Sequence, residues 1–221
     1  MFDHRNLAAI LKSPVIDSDK NEIGDITDGS EYVRVNSRIN RGQYDLTLVL
    51  NTDGLSLVNS SKSYCWPLIF VIAELPEYLR MSFMVMIGLW YDDTCKPLMN
   101  VFLQPFCSKL RNCFYNGICW TYPETNEQII SKIVAPLIIA DAPARVQIQN
   151  ILSFNGKYGC NICEIKMKKC KKISGQRSYR IYPFKKEDST LRNDYRMRKQ
   201  ANKASHDNLL ICFLIKKGYG V

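Results

Sequence analysis

The chain has 221 residues, of which 46% are hydrophobic, and a formal net charge of +9, which suits one domain of moderate size with a buried core. The apolar region from Trp66 to Trp90 is interrupted by Glu74, Pro76 and Arg80, so no run reaches the roughly 20 apolar residues of a membrane span. Nine cysteines without regular spacing and the lack of a signal peptide exclude a secreted disulfide scaffold and predict a nuclear or cytoplasmic protein.

The predicted elements begin after a polar lead-in segment, residues 1–40, which is weakly periodic and expected to be partly ordered. Residues 44–50 then form an aliphatic and β-branched run that predicts a buried strand, ended by a turn that contains Asp53 and Gly54. Two further strands are predicted at residues 64–73 and 83–91, on either side of a turn at Pro76. Of the large side chains here, Trp66, Trp90, Met81, Met84 and Met86 are expected in the core.

The second half of the predicted core contains a helix, a strand and another helix. Apolar side chains at helical spacing predict a helix over residues 100–116. Residues 133–140 form an apolar run that predicts a fourth strand and leads into Asp141, and a helix is expected over residues 144–152. Strand, strand, strand, helix, strand, helix is the order of the ribonuclease H-like fold, so residues 41–156 are predicted to form a partial core of that type. The fold class is therefore α/β, with a mixed sheet flanked by helices and incomplete at its C-terminal end.

Asp53 and Asp141 each follow a predicted strand, and their carboxylates would meet if those strands are neighbours. Mg²⁺ or Mn²⁺ prefers such oxygen ligands, and a metal pair about 3.5 to 4 Å apart can clamp a phosphodiester. The two aspartates are therefore candidate ligands for cutting nucleic acid. The alternative is local, with Asp53 as a turn residue and Asp141 as a helix N-cap.

Many short sequence blocks, in one order over residues 24–205, resemble the transposase of CACTA-type (En/Spm, tnp2-like) DNA transposons. The blocks include Asn51-Thr52-Asp53-Gly54, Trp66-Pro67, Gly88-Leu89-Trp90, Lys96-Pro97-Leu98-Met99-Asn100, Phe102-Leu103-Gln104-Pro105-Phe106, Asp141-Ala142-Pro143-Ala144-Arg145, Phe154-Asn155-Gly156, Tyr158-Gly159-Cys160 with Cys163, and Tyr182-Pro183-Phe184.

This resemblance implies a DDE-type enzyme that cleaves and transfers DNA strands with two Asp and one Glu. Asp53 matches the first acid and Asp141 the second. The acids that follow Asp141 do not lie in a context that matches the family's Glu, so the resemblance implies an incomplete triad and a truncated chain. The resemblance thus leaves enzyme activity open and predicts that the isolated chain is inactive in transposition.

Cys160 and Cys163 have the spacing of half a zinc site, with Gly159 giving the backbone freedom to aim both thiolates at one ion. The resemblance implies two downstream histidines as further ligands, and in this chain Cys170 and His206 are the nearest substitutes. The alternative is a pair of reduced structural thiols.

The basic character of the chain lies in one segment. Residues 157–203 contain 15 Lys and Arg against 4 Asp and Glu, a net +11, and the rest of the chain carries −2. Cations that neutralise phosphates, with aromatic residues between them, are typical of nucleic-acid binding, although a solvated loop or a nuclear localisation signal remains an alternative. The candidate DNA-binding residues in the C-terminal region, 157–221, are Lys166, Lys168, Lys169, Lys171, Lys172, Arg177, Arg180, Lys185, Lys186, Arg192, Arg196 and Arg198.

Together these features predict a transposase-derived protein with a partial metal-dependent DNA-cleavage core. The expected cofactors are Mg²⁺ or Mn²⁺ at the aspartates and Zn²⁺ at the cysteines. The expected partners are DNA and, further, a second copy of the chain or a full-length transposase. A non-catalytic DNA-binding or interaction protein, in which Asp53 and Asp141 are relics, is the alternative.

Overall fold

The computed structural model describes residues 8–11, 23–56, 64–149, 151, 153–170, 179–184, 189–193, 195–197 and 199. They form two compact units, one up to Ile139 and one from Ala140 onward. The fold is mixed α/β, as the sequence predicts. Within the described ranges, no helix is both long and apolar enough to cross a membrane. The predicted boundaries at residues 40 and 156 stay predictions.

A five-stranded mixed sheet forms the centre of the first unit. The strands of this unit are β1 (Leu46–Thr52), β2 (Leu55–Ser56), β3 (Tyr64–Ile72), β4 (Val85–Asp92), β5 (Ile118–Thr121), β6 (Gln128–Ser131) and β7 (Ile133–Ile139). In the sheet, β3 pairs antiparallel with β1, β2 and β4, and β1 pairs parallel with β7. β5 and β6 form a separate hairpin. β1 therefore lies inside the sheet, between β3 and β7.

Helices cover both faces of the sheet, which explains the continuous apolar run in β1. The first-unit helices are α1 (Ser30–Arg38), α2 (Glu77–Arg80) and α3 (Met99–Tyr115), preceded by a 3₁₀ turn at Ile26–Asp28. Tyr32 of α1 packs with Val49 and Ala73 on one face. Phe106 and Leu110 of α3 pack on the other face against a cluster that includes Leu48, Leu50 and Ala135. Successive residues of β1 therefore point to opposite helices.

The predicted order of three strands, a helix, a strand and a helix is present, with boundaries shifted by at most three residues. The sequence did not predict α1 or the β5–β6 hairpin. The expectation that Met81, Met84 and Met86 fill the core is wrong, because they are 71%, 46% and 60% exposed. Met81 directly follows α2, Met84 precedes β4 and Met86 lies on β4, whose only strand partner among the described residues is β3.

A buried polar network ties the N-terminal segment to the sheet. Arg41 forms an ion pair with Glu74, and its Nη1 also donates hydrogen bonds to Tyr32 Oη, Asn36 Oδ1 and Thr47 Oγ1. Glu74 accepts a further hydrogen bond from the Thr47 backbone N–H. This network links α1 to β1 and to the residues that follow β3.

The second unit begins with helix α4 (Ala142–Gln149), which starts two residues earlier than predicted and is followed by a loop that contains both candidate zinc cysteines. A short hairpin of β8 (Lys168–Cys170) and β9 (Tyr179–Ile181) comes next. Residues 189–193 return to the cysteine loop, where Leu191 pairs with Cys163 and the Arg192 N–H donates to the Ile162 carbonyl.

Candidate functional site

The ends of β1 and β7 lie side by side at one edge of the sheet. The parallel register pairs Asn51 with Ile139, and Asn51 Nδ2 also donates to the Ile139 carbonyl at 3.2 Å. Asp53 and Asp141 each come two residues after one member of this pair. The first and fourth predicted strands are therefore neighbours, which is the condition that the sequence left open.

Asp53 lies in the short turn between β1 and β2. Its side chain is half-buried, and Oδ1 accepts a hydrogen bond from the Gly54 N–H at 2.7 Å. The preceding Thr52 is 1% exposed and donates from Oγ1 to the Pro67 carbonyl at 2.8 Å. The backbone before Asp53 is thus fixed to β3, while its carboxylate remains partly accessible.

Asp141 is exposed and caps helix α4. Its Oδ1 accepts a hydrogen bond from the Ala144 N–H at 2.7 Å, and its carbonyl accepts one from Arg145 at 2.9 Å. The N-cap role considered from the sequence is therefore present. One carboxylate oxygen makes that hydrogen bond, so the cap does not prevent a metal ion from binding the other oxygen.

Metal-ligating side chains do not form larger groups in the part of the chain that the structure describes. Groups of three or more His, Cys, Asp and Glu that could hold a metal ion are absent from these residues. His206, a candidate zinc ligand, lies outside them. The carboxylate and thiolate sites therefore remain proposals.

Cys160 and Cys163 face each other in a loop stabilised by backbone hydrogen bonds. Their Sγ atoms are 3.5 Å apart, and Cys160 Sγ accepts hydrogen bonds from the N–H groups of Ile162 and Cys163 at 3.4 Å each. Burial opposes ionisation of Cys160, but these donors and the nearby Arg192 charge together lower its pKa. This environment favours the thiolate, which is the form that binds a metal ion.

Gly159 and Arg192 shape the cysteine loop by contacts that the sequence did not reveal. A Cβ at Gly159 would lie 2.4 Å from the Phe154 carbonyl oxygen, so close backbone approach requires this glycine. Arg192 donates from Nε to the Cys160 carbonyl and from Nη2 to the Tyr158 carbonyl, at 2.8 Å each. Arg192, predicted to bind DNA, thus makes structural hydrogen bonds.

The other predicted DNA-binding residues divide into three groups. Lys166, Lys168, Lys169 and Arg180 are exposed. Arg196 forms an ion pair with Glu164, and its Nε donates a hydrogen bond to Glu164 Oε1 at 2.9 Å. Lys171, Lys172, Arg177, Lys185, Lys186 and Arg198 lie outside the described residues.

Exposed aromatic side chains lie in the same segment as these cations. Tyr179, Tyr182, Phe184 and Tyr195 are 57%, 47%, 95% and 74% exposed. In the β8–β9 hairpin, Lys169 pairs directly with Arg180. Like charges opposite each other destabilise a hairpin, so an anionic partner would relieve their repulsion.

Comparison with known protein families decides the identity. The profile described as transposase family tnp2 matches residues 24–209, which is most of the chain. The chain belongs to the transposase family tnp2. Searches of curated proteins and of solved structures gave no significant match to this tnp2-family chain.

Membership in the tnp2 family confirms the resemblance drawn from the short sequence blocks. The match includes both strand-end aspartates, the cysteine pair and the β8–β9 hairpin. A transposase family implies DNA as the partner. The sequence did not predict that Trp66 packs against Gly54 in the tnp2 chain. The Trp66-Pro67 pair inside a predicted strand was a signal of irregular strand pairing at this point.

Proposed function

We propose that this tnp2-family chain carries part of a ribonuclease H-like core for metal-dependent DNA strand cleavage and transfer. Asp53 and Asp141 bind Mg²⁺ or Mn²⁺ through carboxylate oxygens. When bound, such an ion polarises the scissile phosphodiester and activates the attacking hydroxyl. The protein's own contribution is to place one carboxylate shortly after each of two paired strands.

The observation that supports the proposal most strongly is that the two aspartates follow a pair of strand residues at the same distance along the chain. Asn51 pairs with Ile139 in neighbouring parallel strands. Asp53 comes two residues after Asn51, and Asp141 comes two residues after Ile139. Two carboxylates that share one metal site would repel each other without a cation between them. A hard divalent ion with oxygen ligands suits this donor set.

The arrangement of the sheet supports a ribonuclease H-like core. The first three long strands, β1, β3 and β4, are antiparallel neighbours, and β7 adds parallel to β1 after helix α3. The family's Glu has no counterpart in a matching context after Asp141. We therefore propose that this chain binds metal and DNA but does not complete strand transfer by itself.

The second unit supplies the DNA-binding surface in this proposal. The hairpin cations Lys168, Lys169 and Arg180 are exposed, and the exposed aromatic side chains of the same segment would stack on unpaired bases. Zn²⁺ held by Cys160 and Cys163, with ligands from outside the described residues, would stabilise the loop that Arg192 braces. These cysteines are expected to be reduced in a nuclear or cytoplasmic protein.

A non-catalytic DNA-binding protein is the second candidate function. The observation that favours it is the local use of both aspartates, since Asp53 accepts from Gly54 and Asp141 caps α4. Those hydrogen bonds alone would account for aspartate at each position. Under this alternative, DNA binding persists without a metal site.

Calorimetric titration with Mn²⁺ separates the two candidates. The wild type is compared with Asp53→Asn, Asp141→Asn and, as a matched control, Asp93→Asn, which changes an exposed aspartate after β4. Saturable binding that is lost in the first two variants and kept in the control supports the shared site. A folded wild type that binds DNA but no Mn²⁺ would support the non-catalytic alternative.

A further inference from the structure

The turn that carries Asp53 interrupts the pairing of β1 and β2 with β3, which is otherwise continuous. β1 pairs Thr52 with Leu68, and β2 pairs Leu55 with Cys65, so both strands follow β3 in the same register. The two residues between them, Asp53 and Gly54, therefore come opposite Pro67 and Trp66.

Pro67 explains why the ladder is interrupted at Asp53. Proline has no backbone N–H and cannot donate across the strand pair. Its carbonyl accepts instead from the Thr52 hydroxyl at 2.8 Å. The Asp53 backbone is consequently not fixed by a regular pair of strand hydrogen bonds, and its position depends on the packing of its neighbours.

The indole ring of Trp66 supplies that packing on the Gly54 side. Trp66 is 3% exposed, and a Cβ at Gly54 would lie 2.6 Å from its Cε2 and Cζ2 atoms and 2.9 Å from Nε1. The ring thus occupies the space of a side chain at position 54. An aromatic ring over a cross-strand glycine is a known way to stabilise a strand pair at a glycine.

The indole nitrogen indicates that packing decides the position of the ring. Trp66 Nε1 is buried without a hydrogen-bond partner in the part of the chain that the structure describes. A buried donor without a partner is costly, so among these residues packing, not a hydrogen bond, holds the ring. The close approach of the ring to Gly54 is part of that packing.

We propose that Trp66 and Gly54 form a positioning pair for Asp53. The ring holds the turn against β3, and the Gly54 N–H, fixed in this way, donates to Asp53 Oδ1 at 2.7 Å. The carboxylate is thereby oriented before a metal ion arrives. This role rests on the proposed function, because it concerns the same carboxylate site. Residues that orient a metal ligand commonly contribute about 10- to 100-fold to metal affinity.

The test compares Mn²⁺ affinity by calorimetry in four variants, well below their melting temperatures. Gly54→Ala pushes the ring away, Trp66→Leu removes it, and Trp66→Phe keeps an aromatic ring over Gly54. Trp90→Leu is the matched control, since Trp90 pairs with Trp66 across β3 and β4 and also has a buried Nε1 without a described partner. Trp90 contacts Phe102 of α3, with ring centroids 6.4 Å apart.

Gly54→Ala and Trp66→Leu are expected to weaken Mn²⁺ binding by about 10-fold or more, with Trp66→Phe and Trp90→Leu nearer to wild type. If Gly54→Ala does not fold, the contrast between Trp66→Leu and Trp90→Leu gives the answer.

The failures of the two proposals give different results. A folded wild type without Mn²⁺ binding overturns the carboxylate site and the positioning pair together. Wild-type binding that is lost in Asp53→Asn but unchanged in Gly54→Ala and Trp66→Leu overturns the positioning pair alone. Equal weakening by Trp66→Leu and Trp90→Leu would also overturn it, because the effect would then be one of general core stability.

Discussion

Arg41 and Glu74 form an ion pair whose side chains are 8% and 0% exposed, which makes it part of the core. The guanidinium also reaches Tyr32 and Asn36 of α1, and the carboxylate accepts from the Thr47 N–H of β1. The surrounding partners offset the cost of burying two charges. Residues before the first strand are therefore needed for the fold.

Replacing Glu74 by glutamine is expected to lower the free energy of unfolding by about 3 to 5 kcal/mol, because Arg41 is left as an uncompensated buried charge. Chemical denaturation at neutral pH measures the change. The matched control is Glu31→Gln, which breaks the Glu31–Arg34 pair, whose side chains are each 43% exposed. That variant should lose no more than about 0.5 kcal/mol. Similar losses in both variants would contradict a core role for Arg41 and Glu74.

Tyr32 predicts a dependence of stability on alkaline pH. Burial and, secondarily, the negative charge of Glu74 raise the pKa of Tyr32 well above its ordinary value. The folded state therefore keeps this proton when the unfolded state releases it, at a pH of about 10. Stability is then lost as the pH rises above that value, with a slope of up to about 1.4 kcal/mol per pH unit.

The variant Tyr32→Phe isolates this contribution. Denaturation curves at pH 9 to 11 should fall less steeply with pH for the variant than for the wild type, although the variant is less stable at neutral pH. Its lower neutral stability follows from the lost hydroxyl, which donates to Glu74 Oε1 at 3.0 Å. Parallel pH dependences would show that Tyr32 does not carry the effect.

Gly117 connects α3 to β5 and adopts φ +71°, in the left-handed region. A Cβ at this position would also lie 2.3 Å from Ile130 Cγ2 in β6. Gly117→Ala should therefore destabilise the fold by more than about 1 kcal/mol. Thermal unfolding measures the loss against Gly42→Ala, where the nearest atoms to a Cβ are Asp45 carboxylate oxygens at 3.4 Å. A smaller loss in Gly117→Ala than in Gly42→Ala would contradict this assignment.

The sequence predicted the elements that have a strong hydrophobic pattern. The buried run in β1 and the long helix α3 each bury a continuous apolar surface, so their patterns reveal them. The strand-end aspartates could be named because each directly follows such a run. Helix α1 was missed because its contact with the sheet depends on Tyr32 and on a polar network with Arg41, neither of which gives a periodic apolar signal.

Long-range packing accounts for the rest of what the sequence did not predict. The exposure of Met86 follows from the edge position of β4, which depends on the order of strands in the sheet. The role of Arg192 depends on a contact with Cys160, 32 residues away in the chain. From the sequence alone, Arg192 could not be distinguished from the exposed cations of the basic segment.

The β8–β9 hairpin is expected to contribute to DNA affinity through Lys169 and Arg180, which lie directly opposite each other. Replacing both by alanine should weaken binding to duplex DNA and reduce the slope of log affinity against log salt by about 0.9 for each lost phosphate contact. Fluorescence anisotropy over a range of salt concentrations measures both quantities. Lys109→Ala, an exposed lysine on α3, is the control. An unchanged slope in the double variant would exclude phosphate contacts by these two residues.

The pKa of the Cys160 thiol should lie below that of an ordinary cysteine, and the pKa of the Cys107 thiol should lie above it. Burial opposes ionisation of Cys160, but the N–H groups of Cys163 and Ile162 and the charge of Arg192 lower its pKa overall. Burial raises the pKa of the Cys107 thiol in α3. The rate of alkylation, followed for each peptide by mass spectrometry as a function of pH, should therefore have a lower midpoint for Cys160 than for an unperturbed cysteine, and a higher midpoint for Cys107.

Arg192 provides a direct test of the electrostatic cause. Arg192→Leu removes both the positive charge and the donor to the Cys160 carbonyl, so the alkylation midpoint of Cys160 should rise, while that of Cys107 stays in place. Arg192→Lys keeps the charge and should give an intermediate midpoint. If the midpoint of Cys160 were the same in all three proteins, Arg192 would only brace the loop. The backbone donors of Ile162 and Cys163 would then be the groups that lower the thiol pKa and favour the thiolate.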